Sequence, residues 1–331
     1  MSENTLRPTG IGRVLEADGV LVTLQFNENE APLIFSRLSS DCGPLCVVRR
    51  ISEKTVQAAA EMPDRIWTPG QEVKDSSEPF SGRISTEIAE SMIRETAREN
   101  DALETGIKVV DLFAPMVKSG STGIFAEWGL GALVLIPELV LRLDRLGARQ
   151  TIYVFVLPIR GEQEWRDINA EAPADSKNVD VYYIPVADPI TASFVDHFKA
   201  LDTKLVLSRR MAEQNIWPAI DPLRSGSLAR PGDRSQLADK VRELIRQYYA
   251  LQFSEGLRSL NESDWLTVRR GRLATHFLGQ PFFVAEPYTG QPGLQTSVNS
   301  AAETFGKVLS GQYDDYRKDA FSMAGDTPKA K

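Results

Sequence analysis

Few residues in this chain could do chemistry, and their spacing limits what that chemistry can be. Histidine occurs only as His197 and His276, so a histidine-based metal site is not expected. The two cysteines, Cys42 and Cys46, lie in the run SDCGPLC. A structural zinc site takes about four ligands, and no further cysteine or histidine stands near this pair. Two reduced thiols in a turn are expected, with no metal and no disulfide. Gly129 and Gly131 sit between the apolar run GIFA and the helical run LVLIPELVLRLDRLGA. Glycine there serves a tight strand-to-helix turn, or it lets backbone N–H groups cradle a phosphate.

The elements that must position these residues follow from composition and pattern. The chain has 331 residues, 42% apolar and 25% charged, with a net charge of −7. That length suits about two or three domains, and the negative balance argues against a nucleic-acid partner. The first residues, MSENTLRPTG, lack a basic segment followed by an apolar one, so no signal peptide is expected. The most apolar stretch, Leu130 to Leu141, is interrupted by Pro137 and Glu138. It is too short to span a bilayer. A cytoplasmic protein, or a peripheral part of something larger, is the expectation.

GRVLEADGVLVTLQF alternates around Val14, Leu21, Val22 and Leu24, with Asp18-Gly19 as the hairpin turn. LCVVRRI and TVQAAAE read as further strands, while PDRIWTPGQEV and SSEPFSGRI read as loops with brief strands. Residues 1–85 are thus expected to form a small β-barrel. Residues 86–104 read as a connecting arm with some helix. GIFA, TIYVFVLP, VDVYYIPVAD and KLVLS are continuous apolar runs, as buried parallel strands should be. With the helix ending at Gly147, they predict a layered α/β core over 86–231. From 232 to 331 the pattern is helical, as in RSQLADKVRELIRQYYALQF, WLTVRRGRLATHFLG and SAAETFGKVLSGQY. The last residues, GDTPKAK, read as a loose tail.

Several segments then resemble one family in the right order. ETGIKVVDLFAP and STGIFAEWGLGALVLIPEL are similar to the approach to, and the phosphate loop of, the beta subunit of F-type ATP synthases. LDTKLVLSRRMAEQNIWPAIDPLRSGS resembles a later strand, helix and loop of that family. WLTVRRGRLATHFLGQPFFVAEPYTG and FGKVLSGQYDDYRKDAFSMAG resemble the opening and close of its helical domain. The resemblance implies a multidomain α/β protein: an N-terminal barrel, a reduced RecA-like P-loop NTPase core and a C-terminal helical bundle.

It also implies a damaged site. A working loop reads Gly-x-x-x-x-Gly-Lys-Thr/Ser, its lysine neutralising the phosphates and its hydroxyl holding Mg²⁺. On the family's frame, Ala132 stands at the lysine and Leu133 at the hydroxyl. Glu127 adds a negative charge, and Trp128 adds bulk. A charge-assisted hydrogen bond contributes about 1.5–3 kcal/mol, so losing both groups should weaken phosphate binding roughly a hundredfold or more. About twenty residues separate TIYVFVLP from VYYIPVAD, where the family has a long segment carrying its Mg²⁺-linked carboxylate. No equivalent carboxylate is visible. Glu162, in Arg160-Gly161-Glu162-Gln163, approximates the family's catalytic glutamate after a small shift; its ordinary reading is a solvated residue starting a helix. Trp217 and Tyr288 fall where the family stacks aromatics on adenine, or are ordinary core or hinge aromatics. Glu262 and Asp264 are what is left of the family's acidic tip, in a turn that reads as solvated and capped.

The function expected from this is a non-catalytic homologue that serves as a binding or assembly module. Its implied partner is an ATP synthase alpha-like subunit or a second copy of itself, in or beside a peripheral rotary complex. ATP or ADP would bind weakly, without Mg²⁺. The alternatives are a working beta subunit in proton-coupled ATP synthesis, and a duplicate with no selected role.

Overall fold

The structure is a computed structural model that describes residues 10–27, 31–94, 101–172, 176–229, 234–253 and 260–329. Six strands form the N-terminal part: β1 (Ile11–Asp18), β2 (Leu21–Gln25), β3 (Ser36–Ser39), β4 (Leu45–Arg50), β5 (Thr55–Ala60) and β6 (Glu72–Pro79). They close into a barrel in the order β1-β2-β5-β4-β3-β6, with β6 pairing back onto β1. Closure leaves no edge strand. Asp18 pairs with Leu21, so the first hairpin turns on Gly19 and Val20, one place beyond the expected Asp18-Gly19. Gly19 supplies the positive φ of 61° that the turn needs.

Strand β4 shows how the barrel joins the rest. Leu45 and Val47 point into the barrel with Val14, Leu24 and Val56, while Cys46 and Val48 belong to the main core. Successive side chains face opposite sides of a strand. The run LCVV is therefore buried on both faces, because the α/β sheet covers the outer one. Strand β6 spans two stretches expected as loops with brief strands. Its residues, EVKDSSEP, bury only Val73 fully. A mostly exposed strand carries little apolar alternation, so it reads as loop.

After α1 (Thr86–Ser91) comes a short ladder of β7 (Ala102–Leu103) and β8 (Met116–Val117), flanking α2 (Lys108–Phe113). The layered part follows: β9 (Ser119–Ala126), α3 (Ala132–Leu146), β10 (Arg149–Val156), α4 (Glu162–Glu171), β11 (Val179–Pro185), α5 (Ala192–His197), β12 (Thr203–Val206), α6 (Arg209–Glu213) and β13 (Gly226–Ser227). The sheet order is β11-β10-β9-β12-β13, parallel through β12 and antiparallel at β13. Ile152 through Val156 are at most 1% exposed, and Phe125 stacks on Phe155 at 4.7 Å. Burial on both faces is why these strands read as unbroken apolar runs.

The helical part comprises α7 (Ser235–Phe253), α8 (Glu262–Phe277), α9 (Glu286–Thr289) and α10 (Val298–Leu309). Phe277 and Phe305 meet edge to face at 5.0 Å, and Phe305 meets Phe113 of α2 at 5.9 Å. One apolar core thus runs from the barrel's outer face through the sheet into the bundle. No helix among the described residues is long and apolar enough to cross a membrane. The expected loose tail is corrected. Asp326 Oδ1 accepts from Ser297 N at 2.9 Å, and its carbonyl accepts from Thr304 Oγ1 at 2.8 Å.

Three buried ionisable side chains, Glu138, Arg142 and Lys108, fasten these parts. Glu138 and Arg142 lie one turn apart on α3, and both side chains are almost fully buried. Arg142 donates through Nε to Glu138 at 2.7 Å, through Nη1 to the Thr105 carbonyl at 3.1 Å and through Nη2 to the Leu294 carbonyl at 2.7 Å. Glu138 also accepts from Val284 N at 3.0 Å. Lys108 of α2 donates to the carbonyls of Ala324 and Gly325 at 2.6 and 3.1 Å, and lies 3.9 Å from the Phe277 ring centroid. Burial pushes the Lys108 pKa down to about 7, against the field of Asp326.

Breaking the α3 pair leaves a lone buried charge, so Arg142→Met should destabilise the fold by about 3–5 kcal/mol. Arg142→Met together with Glu138→Leu should cost less than the single change. Urea unfolding of both variants checks this. Lys108 gives a pH signature. Its folded pKa lies below its unfolded one, so the unfolded chain holds the extra proton between about pH 7 and 10. Stability attributable to Lys108 therefore rises with pH over that window, by up to about 1.4 kcal/mol per unit. Lys108→Met should remove that slope, and equal slopes in urea melts of parent and variant at pH 7, 8 and 9 would contradict it.

Candidate functional site

The loop from β9 to α3 is the best candidate site, and its backbone explains its glycines. Gly129 has φ 84° and Gly131 φ 83°. Side chains other than glycine rarely adopt these values. Gly131 caps α3, its carbonyl accepting from Leu135 N at 2.9 Å. Ala132, the first residue of α3, is buried, and Leu133 packs half-buried against the core. The two positions are thus filled by apolar groups that belong to the helix packing.

The rest of the loop is tied to its surroundings. Trp128 donates from Nε1 to the Leu157 carbonyl beyond β10 at 2.7 Å, and its ring meets Phe35 edge-on at 6.4 Å. Its bulk is therefore turned toward the barrel and the end of β10. Glu127 forms an ion pair with Arg209, the first residue of α6. Trp217 lies against the loop: a Cβ placed on Gly131 would come within 2.9 Å of Trp217 Cζ3. The Trp217 indole N–H is taken by Asn215 Oδ1 at 2.9 Å.

The other sequence candidates lie on other elements. Tyr288 lies on α9 and is 80% exposed. Among the described residues no ring contact joins it to Trp217. Glu162 occupies the first turn of α4, where its exposed carboxylate pairs with Arg166 one turn on. Asn261 caps α8 by accepting from Asp264 N at 2.9 Å. Glu262 and Asp264 both lie in that helix's first turn. Of the turn expected as the remnant of an acidic tip, the residues before 260 lie outside the described residues.

Cys42 and Cys46 are free thiols. Burial pushes the Cys46 thiol well up, which keeps it protonated and unreactive. Cys42 receives a hydrogen bond from Gln71 Nε2 at 3.0 Å. Among the described residues no group of three or more His, Cys, Asp or Glu side chains could hold a metal ion.

Sequence reasoning missed the basic side chains facing the loop. A cleft of about 430 Å³ opens beside Glu127 and Leu130, walled by Arg209, Arg210, Arg224 and Asp221. The signal available was the Arg-Arg pair directly after KLVLS, where a parallel strand ends and ligands commonly bind. No protein-family model matches the chain.

The glycines separate backbone strain from contact. Nothing lies within 4 Å of a Cβ at Gly129, whereas one at Gly131 meets the Trp217 ring. Gly129→Ala should cost only the left-handed conformation, about 1–2 kcal/mol. Gly131→Ala should cost measurably more and should shift the tryptophan emission. Urea denaturation followed by fluorescence tests both, and equal costs would refute the packing of Trp217 on Gly131.

Proposed function

We propose that the chain is a degenerate relative of F-type ATP synthase beta subunits that acts as a binding or assembly module without hydrolysing ATP. The observation that carries this reading is the loop of residues 126–133. Where the family has a lysine, the buried methyl of Ala132 opens α3. Where it has a hydroxyl, Leu133 packs on the core. The carboxylate beside them, Glu127, is already paired with Arg209. A phosphate clamp acts mostly on the transition state, so its loss removes rate more than affinity.

The reduced RecA-like core also belongs to this proposal. What supports it is a parallel sheet whose glycine-rich turn leads from strand β9 into helix α3. The proposed partner is an alpha-like subunit of a rotary complex, or a second copy of the chain, met through the barrel. In support, Ile11 and Leu15 of β1 are exposed apolar side chains on the barrel. Any nucleotide would be held by its ring and not by Mg²⁺-bound phosphates, with Trp217 the better placed of the two aromatics. The competing reading, a working beta subunit, rests on the ordered run of similar segments.

Phosphate release separates the two. The purified chain should release no phosphate from MgATP above background. The double change Ala132→Lys with Leu133→Thr should bind ATP more tightly than the parent yet turn over no faster. Catalytic groups that act as a unit gain little when one part is restored. Calorimetric titration beside a phosphate-release assay checks both. Turnover that follows the parent chain through successive columns would establish the working-subunit reading instead. Capture from the native cell without an alpha-like subunit, together with a strict monomer in light scattering, would remove the assembly role.

A further inference from the structure

The strand order contains a switch point. From β9 the chain moves outward through β10 to β11, then returns to place β12 on the other side of β9. The connections leaving β9 and β12 therefore diverge, and a crevice forms beyond the carboxyl ends of these two strands. Open α/β sheets bind ligands at such crevices. The cleft of about 430 Å³ lies there. Glu127 and Leu130 come from the connection after β9, and Leu207, Arg209 and Arg210 from the connection after β12.

Its charge is opposite to that of the chain. Three arginines, Arg209, Arg210 and Arg224, line the cleft with two carboxylates, Glu127 and Asp221. The lining is thus net positive by one, in a chain of net charge −7. Two of the guanidiniums are held in position. Arg210 lies over the Tyr249 ring at 4.3 Å, and Arg224 donates to the Ile190 carbonyl at 2.9 Å. Asp221 accepts from Leu223 N at 2.9 Å within its own turn, and it also lies in the field of Arg224 and Arg210. Glu127 reaches in from the loop onto Arg209, whose charge also feels Glu213.

We propose that this cleft binds a compact dianion of the phosphate class, as inorganic phosphate or as the phosphate of a small monoester, and that the Glu127 carboxylate occupies Arg209 until the dianion displaces it. A carboxylate pairs with one guanidinium, as Glu127 does with Arg209 through Nη2. A tetrahedral phosphate has oxygens for guanidiniums arriving from several directions. Releasing Glu127 raises the net charge of the remaining lining to two positive, which matches a dianion. The apolar wall of Leu207 and Leu223 leaves room for the body of a monoester. The site uses side-chain guanidiniums and not loop N–H groups, so it stands whether or not the chain is related to ATP synthase.

The test is calorimetric titration of the whole chain with inorganic phosphate, glycerol phosphate and succinate, at low and at moderate salt. The parent should bind phosphate saturably, and less tightly as salt rises. Glu127→Gln frees Arg209 and should tighten binding by about twofold to fivefold, the scale of an exposed ion pair. Arg224→Ala removes a charge-assisted contact and should weaken it about tenfold or more. Tighter binding of glycerol phosphate than of phosphate would assign the monoester, and equal binding would assign the phosphate group alone. No saturable binding to Glu127→Gln, indifference to Arg224→Ala, or succinate binding as tightly as phosphate would each overturn the proposal. Thermal melts by circular dichroism show whether each variant keeps its fold.

Discussion

The buried pair of Glu138 and Arg142 sets the relation between the sheet and everything that follows it. One guanidinium joins α3 to the turn before α2 at Thr105 and to the segment before α10 at Leu294. The glutamate holds the start of the short helical stretch at Val284. An exchange for apolar residues of similar volume can be neutral or stabilising, so the pair is not explained by stability alone. What it adds is geometry. The guanidinium's donors and the two carboxylate oxygens are satisfied only when three separate chain segments stand in one arrangement. Any other docking of the helical part strands a charge in the core. Lys108 repeats the device at the far end, through Ala324 and Gly325.

Fixing α3 also fixes the loop at its start. Glu138 lies less than two turns from Ala132 on the same rigid helix, so the position of Gly131 follows from the buried pair. The loop keeps a backbone that only glycines adopt easily, with Trp217 closing over one of them. Those constraints belong to the strand-to-helix turn itself and do not require a phosphate. Apolar side chains at 132 and 133 improve the packing of α3. The geometry of the turn and its chemistry are therefore separable, and this chain has the first with little of the second.

Much of the fold was legible in the sequence, for physical reasons that differ by element. Strands β9 and β10 announced themselves because burial on both faces forces continuous apolar runs. Helix α7 did so through the spacing of Val241, Ile245 and Tyr248, all buried. Strand β6 was legible only as brief strands within loops, since a largely polar strand at a barrel seam has only Val73 to bury fully. The fixed tail was not legible either, because its anchors are main-chain carbonyls and one capping aspartate, which leave no periodic signal. At the candidate site the glycines could be read directly. Of the cleft's arginines only the Arg209-Arg210 pair left a signal, because Arg224 stands fifteen residues beyond Arg209 and joins it only through the fold. Glu138 was visible only as an interruption of an apolar stretch. Its i,i+4 relation to Arg142 is seen as well in the exposed pair Glu162–Arg166, so that spacing did not mark burial.

The molecule thus carries one carboxylate–arginine pair within α3 and another at the loop before it, and burial makes them opposite in kind. Glu138–Arg142 is shut away from water, so separating it exposes each charge to a medium that cannot solvate it. Glu127–Arg209 stands with side chains 41% and 61% exposed. An exposed pair of that sort contributes little, because water solvates both partners and salt screens them, and either can be resolvated at small cost. Only the second can therefore open and close under equilibrium conditions. The buried pair holds the helix, and with it the loop, while the exposed pair is free to exchange one anion for another. A carboxylate that rests on a cleft arginine at so small a cost keeps the guanidinium neutralised without committing it. That is the property a displaceable occupant needs, and a structural salt bridge lacks it.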